Sequence, residues 1–297
     1  MKLLELFKKD KTKQPNGVAV MEEIAVTLEQ EAERTEEKEQ FYDEKDNQTL
    51  KALASLMGVG EQTLKREFVE YNVKKFLSLV GRALVRSETM DEDVKRLYYR
   101  SSEYWLGGIL VSPMYLSSCT KQQKKKDRTI DCGAIIDFPF GEDTVKGKMH
   151  GIKESNKAKM DFAIVTIPTV LAGKENLKQL KKQTKKLMGA LKKRGGVAIN
   201  ASDITNDDIK RVCKSLVKSK AQSLTLLFGD TPIEEVTEKI ITAGANLGDK
   251  KLFVLANVQK YQSITELKKL GVDKIFTPFA FEIATEVLQS FGLKEIK

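Results

Sequence analysis

Three polar side chains fall near the ends of apolar runs and could act together: Asp137, Asp161 and Asn200. Oxygen-bearing side chains of this kind at one mouth of a sheet suit a hard cation or a polyol. Two carboxylates alone do not define a reaction, since they would need a raised pKa or a bound metal. The plainer alternative is that they cap loops and satisfy backbone at the strand ends. The rest of the catalytic inventory is thin. His150 is the only histidine, which excludes a His-rich zinc site within one chain. A Ser-His-Asp or Cys-His pair is excluded too unless His150 is the base. It falls in a helical stretch, where a surface or packing role is expected. Cys119, Cys132 and Cys213 are odd in number and far apart, so neither a disulfide framework nor a CxxC clip is visible. No metal and no cofactor is expected.

The elements that must position these residues begin near residue 76, where short apolar runs alternate with longer amphipathic stretches. Candidate strands are 79–84, 107–112, 132–138, 160–166, 196–200, 223–228, 252–256 and 274–277. Helical stretches between or after them include 91–104, 176–193, 207–219, 233–243 and 284–291. Cap-like residues open several: Thr205 to Asp208, Asp230-Thr231-Pro232, and Ser263 or Thr265 ahead of Glu266. Eight such units of roughly 25 residues predict an α/β chain whose parallel strands close into a (β/α)8 TIM barrel. An open doubly wound sheet is the alternative, but it usually announces itself with a glycine-rich first turn, and none is present.

Residues 1–75 read differently, as an α-helical N-terminal extension ahead of a barrel at 76–297. Met21, Ile24, Ala25, Leu28 and Ala32 follow helical spacing, and a highly charged stretch, 31–46, leads into a linker. Leu50 to Met57 and Glu61 to Phe76 form two more helical stretches around Gly58-Val59-Gly60. Residues 50–66 look like a helix-turn-helix, with Ala54, Gly58, Val59 and Leu64 at its packing and turn positions. Gln62, Thr63, Lys65 and Arg66 would then face the DNA major groove. An ordinary helical hairpin explains the same pattern, and Glu61, Glu67 and Glu70 disfavour phosphate contact.

Composition sets the outer limits. The 297 residues carry 51 basic and 42 acidic side chains, a net charge of +9, with lysine clusters at 8–13, 121–128 and 178–194. The excess is read as a solvated surface, with a polyanion-attracting patch as the alternative. No apolar run approaches the roughly 20 residues of a membrane span, and the first residues lack the apolar core and cleavage site of a secretory signal. A cytoplasmic location is the default expectation.

Several of these segments resemble the deoxyribose-phosphate aldolase family. Ile135-Ile136-Asp137-Phe138-Pro139-Phe140-Gly141 is similar to that family's V-I-G-F-P-L-G, and Thr144 and Lys148 follow in a helix start. Lys159-Met160-Asp161-Phe162-Ala163-Ile164-Val165 is similar to E-I-D-M-V-I-N. Gly108 to Tyr115 is similar to V-C-V-N-P-Y-Y, and Leu270-Gly271-Val272-Asp273-Lys274-Ile275 to A-G-A-D-R-I. The ordered spacing covers residues from about 77 to the C-terminus and leaves the first 75 without a counterpart.

The resemblance implies a Schiff-base aldolase, yet the residues for it are missing. Thr225 stands where the sixth strand of the family carries its imine-forming lysine, in V-K-T-S-T-G. Phe253 or Leu255 stands at the second lysine, on the seventh strand. Gly81-Arg82-Ala83 replaces an early D-H-T, so only Asp161, as the aspartate of E-I-D, keeps its identity. Threonine cannot form an imine, and a Schiff-base enzyme needs a neutral amine inside the barrel. Lys159, Lys251 and Lys274 all sit at strand starts. The phosphate seat implied after the last two strands is replaced by Ala256-Asn257-Val258-Gln259 and Phe276-Thr277-Pro278-Phe279-Ala280, where Pro278 has no N–H to donate.

The expected protein is thus an aldolase-like barrel that is not a working Schiff-base aldolase. It would bind a small molecule or partner at its mouth, through Asn200, Thr225 and Asn257. One rival is a lyase or isomerase acting on a small sugar or sugar phosphate through Asp137 and Asp161. The other is a regulator that joins an aldolase-like sensor to a DNA-binding N-terminus. Whether the chain is an enzyme stays undecided at this level, and a homodimer is left open.

Overall fold

The computed structural model describes residues 61–85, 91–123 and 130–293. Among them, eight parallel strands close into a barrel in sequence order, β1 pairing with both β2 and β8. Helix α1 (Glu61–Leu77) leads into β1 (Val80–Leu84), and a compact unit begins within that helix, at Val73. Then follow α2 (Asp91–Glu103), β2 (Gly108–Val111), α3 (Leu116–Gln123), β3 (Cys132–Ile136) and α4 (Val145–Lys157). The chain continues with β4 (Phe162–Ile167), α5 (Leu177–Ala190), β5 (Arg194–Asn200), α6 (Asn206–Val217), β6 (Ser223–Gly229) and α7 (Ile233–Asn246). It closes with β7 (Lys251–Ala256), α8 (Tyr261–Lys269), β8 (Lys274–Thr277) and α9 (Ala280–Ser290). The (β/α)8 barrel expected from the alternating pattern is the fold. The two helical stretches expected within residues 1–57 lie outside the described residues.

Local chemistry explains most boundaries. Strands β2, β3 and β4 are buried along their whole length, as parallel strands covered by helices must be. Helix α6 opens with a reciprocal capping box, in which Thr205 accepts from Asp208 N and the Asp208 carboxylate accepts from Thr205 N. Thr144 caps α4 by accepting from Gly147 N at 3.1 Å. Several boundaries shift by one to four residues from the sequence reading, and two of the shifts have a clear cause. Strand β3 stops at Ile136, short of the expected residue 138, because Asp137 turns the chain with φ of 62°. Strand β5 starts at Arg194, ahead of the expected Gly196, because the ladder to β4 pairs Phe162 with Arg194 and Ala163 with Gly195.

The barrel is packed, not hollow. Ala83, Leu110, Ile135, Phe162, Ile164, Ala198, Leu227, Leu255 and Phe276 form one buried cluster, with Val85, Phe138 and Phe253 packed against it. The rings of Phe162 and Phe253 lie 5.9 and 6.1 Å from that of Phe276. Glycine makes room for them. A Cβ on Gly133 would stand 2.0 Å from the Phe162 ring, and one on Gly81 would stand 2.5 Å from that of Phe276. Truncating a buried phenylalanine of this kind to alanine costs about 3–5 kcal/mol.

Candidate functional site

Barrels of this type carry their chemistry beyond the C-terminal ends of the strands. At the end of β3, Asp137 takes a left-handed conformation that glycine adopts more readily. Its carboxylate accepts from Asp143 N at 2.9 Å and lies 2.8 Å from Lys148 Nζ. Lys148 rises from the first turns of α4, and its side chain is only 1% exposed. The same ammonium donates to Gly141 O and Thr166 O, each at 2.6 Å. An ammonium has three protons, and here three acceptors take them. The nitrogen has no lone pair to offer a carbonyl while it stays so bound.

In the sequence Lys148 reads only as part of a helix start, and its burial as an amine comes from the fold. The available signal was a pair: an acid where the related family has glycine, and a lysine on the next helix. What the pair does is tie the β3–α4 loop to the end of β4.

Asp161 requires a correction. It precedes β4, at the N-terminal end of the barrel, and does not reach the mouth. Its carboxylate accepts from Cys132 N at 2.8 Å and Gln123 Nε2 at 2.6 Å, while its own N–H donates to Cys132 O. Asp273 repeats the arrangement at the start of β8, accepting from Leu252 N at 2.8 Å while its own N–H donates to Leu252 O. Asp161 is therefore a strand-start bracket, equivalent to the aspartate of the Leu270–Ile275 segment. Asp161 bonds to the first residue of β3 and Asp137 follows the last, so the length of that five-residue strand, about 16 Å at 3.3 Å per residue, separates them. They cannot act on one bond. The lyase or isomerase reading that paired them loses its geometry.

Side-chain alternation puts Thr166, Asn200 and Thr225 on the same inward face as the core cluster. Thr225 is fully buried between Ala198 and Phe253 in the ladder, and its hydroxyl has no hydrogen-bond partner. Leu255 is part of the apolar cluster and Phe253 packs on it, so none of Thr225, Phe253 and Leu255 brings an amine into the barrel.

Asn200 and Asn257 do reach the mouth, where polar groups satisfy one another. Asn200 donates to Asp203 at 3.1 Å and accepts from Ser202 N at 3.1 Å. The Ser202 and Thr231 hydroxyls meet at 3.0 Å, and Asn257 donates to Asp230. Lys239 reaches in from α7 to donate to Ala201 O and Ser202 O. Thr225 lies below this rim, inside the barrel. Past β8, Thr277 donates to Val258 O at 2.7 Å and accepts from Phe279 N at 3.1 Å. The N–H of Phe279 is thus already used, and Pro278 has none. This loop makes a poor phosphate cradle.

The remaining candidates are dispersed. Gln62, Thr63, Lys65 and Arg66 lie on α1, Arg66 exposed, while the motif's first half at residues 50–60 lies outside the described residues. His150 is exposed on α4. The three cysteines are buried and free. Burial pushes the Cys213 thiol up to about 12, and a hydrogen bond with Cys119, then burial, holds Cys132 well above the thiol range. Neither is a nucleophile at neutral pH. Among the described residues no group of three or more His, Cys, Asp or Glu could hold a metal ion, and no helix is long and apolar enough to cross a membrane.

No family model matches the chain. Its sequence is similar to the deoxyribose-phosphate aldolase of Lactobacillus acidophilus, 18% identical over 211 residues that span 70% of this chain and 88% of that protein. It is 22% identical over 222 residues to that of Clostridium tetani, spanning 72% of this chain and 98% of the relative. Among solved structures, the tetrameric deoxyribose phosphate aldolase of Aeropyrum pernix superposes with a TM-score of 0.62 at 14% identity. That match covers 72% of this chain and 91% of the other. The resemblance carried by the sequence motifs therefore extends over most of the chain, at low identity.

Proposed function

We propose that this chain is a divergent deoxyribose-phosphate aldolase-like protein that does not form a Schiff base within its barrel, and that instead holds a small polar molecule at the mouth. One observation carries the reading: Thr225, buried and inward, stands where the related enzymes would need an amine, with Phe253 and Leu255 at the alternative site. An imine needs an unprotonated nitrogen facing a cavity. The buried lysine at this end of the barrel, Lys148, gives its three protons to Asp137, Gly141 and Thr166.

The nature of the ligand follows from the rim. Asn200, Ser202, Asp203, Asp230, Thr231 and Asn257 offer amides, hydroxyls and carboxylates, which suit an uncharged hydroxylated molecule and repel a phosphate. Borohydride reduction in the presence of acetaldehyde, followed by peptide mass mapping, tests the central claim. No stoichiometric adduct is expected on any lysine of the barrel interior. A single adduct on Lys148, Lys251 or Lys274, abolished by the corresponding Lys148→Arg, Lys251→Arg or Lys274→Arg, would overturn it. For the rim, titration with glycerol, ribose and ribose 5-phosphate should favour the uncharged sugar, and Asn200→Ala should weaken it.

A further inference from the structure

At the opposite end of the barrel, among the N-terminal ends of β4 to β8, lies a cavity of about 440 Å³. That is the size of a small-molecule site. Its floor is apolar, made by Phe162, Ile164 and Phe253, and its wall carries Arg194, Lys251 and Lys274. The ladder places these cations inward, because Arg194 pairs with Phe162, Lys251 with Ser223 and Lys274 with Phe253. Three cations thus point inward at the end of a barrel whose packed centre is largely apolar.

Their charge is incompletely balanced. Asp131 lies 2.9 Å from Arg194 and 3.8 Å from Lys274, so one carboxylate serves two cations. Asp273 accepts from Leu252 N and keeps its charge, so with Asp131 it sets two carboxylates against Arg194, Lys251 and Lys274. Asp249 sits beside Lys250, at 3.9 Å. Lys274 is mostly buried and donates to Gly107 O, with room for further acceptors on an ammonium. Burial holds Lys274 below its ordinary value; Asp131 opposes that shift, and the smaller effects of Arg194 and Lys251 add to it. An arriving anion would relieve that crowding.

We infer that this cavity binds a small organic anion, with a carboxylate or phosphate headgroup set among Lys251, Lys274 and Arg194 and a compact aromatic or branched body resting on Phe162 and Phe253. Charge alone does not specify the ligand, because the headgroup's desolvation is offset only when the apolar body is buried too. The site is independent of the mouth, so either reading can fail without the other.

Calorimetric titration of the full chain tests it with four probes: benzoate, phenyl phosphate, inorganic phosphate and benzyl alcohol. Saturable binding of benzoate or phenyl phosphate is expected, with inorganic phosphate weaker and the alcohol absent. The better of the two organic anions identifies the headgroup. Lys251→Glu, at an exposed position that leaves the fold intact, should weaken the preferred anion about tenfold, as should Lys274→Met if it keeps the wild-type circular dichroism spectrum. Asn200→Ala should leave the affinity unchanged. The proposal is overturned if neither organic anion binds, if benzyl alcohol binds as well as benzoate, or if Lys251→Glu has no effect.

Discussion

The Asp137 carboxylate sits 2.8 Å from the Lys148 ammonium, and the two hold each other in otherwise unfavourable states. Asp137 occupies a backbone region costing roughly 1–2 kcal/mol for a residue with a Cβ. Lys148 is a cation with 1% of its side chain exposed. Each is tolerable because of the other. A buried pair of this kind contributes little net stability while intact, but removing one partner leaves a buried charge behind.

Lys148→Met is therefore expected to destabilise the barrel by about 3–5 kcal/mol, since Asp137, Gly141 O and Thr166 O all lose a donor. Asp137→Gly should be milder, because glycine accepts the left-handed turn and Lys148 keeps two carbonyl acceptors. Urea denaturation measures both. The clamp has no such role if the lysine variant lies within 1 kcal/mol of the parent.

Thr225→Val should stabilise the chain by about 1 kcal/mol. The substitution removes a fully buried hydroxyl that has no partner and keeps the branched shape that a strand favours. A rise in Tm is the readout. A clear fall would mean that the hydroxyl has a function inside the barrel.

Asp161→Asn should lower stability by about 1–2 kcal/mol, because the bonds from Cys132 N and Gln123 Nε2 lose a charged acceptor. Ligand affinity at the mouth should not change, as the residue stands at the other end of the strands. A measured loss of mouth affinity with stability intact would restore Asp161 to the site.

Lys274 supplies a pH signature. Its folded pKa is depressed relative to the ordinary 10.5, so between the two values the unfolded chain binds more protons than the folded one. Stability contributed by this group therefore rises with pH across that window, opposite to Tyr98, whose phenol burial pushes up to about 12. The difference between wild type and Lys274→Met, followed by denaturation from pH 7 to 10.5, isolates the lysine. The wild type should gain on the variant as pH rises. A flat difference would show that Lys274 is not strained by its surroundings.

Much of the fold was legible because its signals are local. Buried strands such as 162–167 read as mostly apolar runs, and Thr205 with Asp208 marks a helix start within four residues. The site was less legible. Asp137 follows its apolar run and Asp161 precedes its own, which in a parallel barrel puts them at opposite ends, but neither run says which residues each acid bonds. The bonds that decide it join Asp161 to Cys132 and Lys148 to Thr166, residues far apart in sequence.

The residue identities alone determined that Thr225, Phe253 and Leu255 stand at the places where the family resemblance implies lysine, since no packing can turn those side chains into amines. They also determined the barrel, through the repeated alternation of strand and helix periods. Tertiary structure alone decided that Lys148 is buried and fully engaged, that Asp161 braces the far end, and that Arg194, Lys251 and Lys274 converge around one cavity. The reason is register: closing the parallel ladder sets which strand ends meet, and that long-range pairing is not encoded in any single segment.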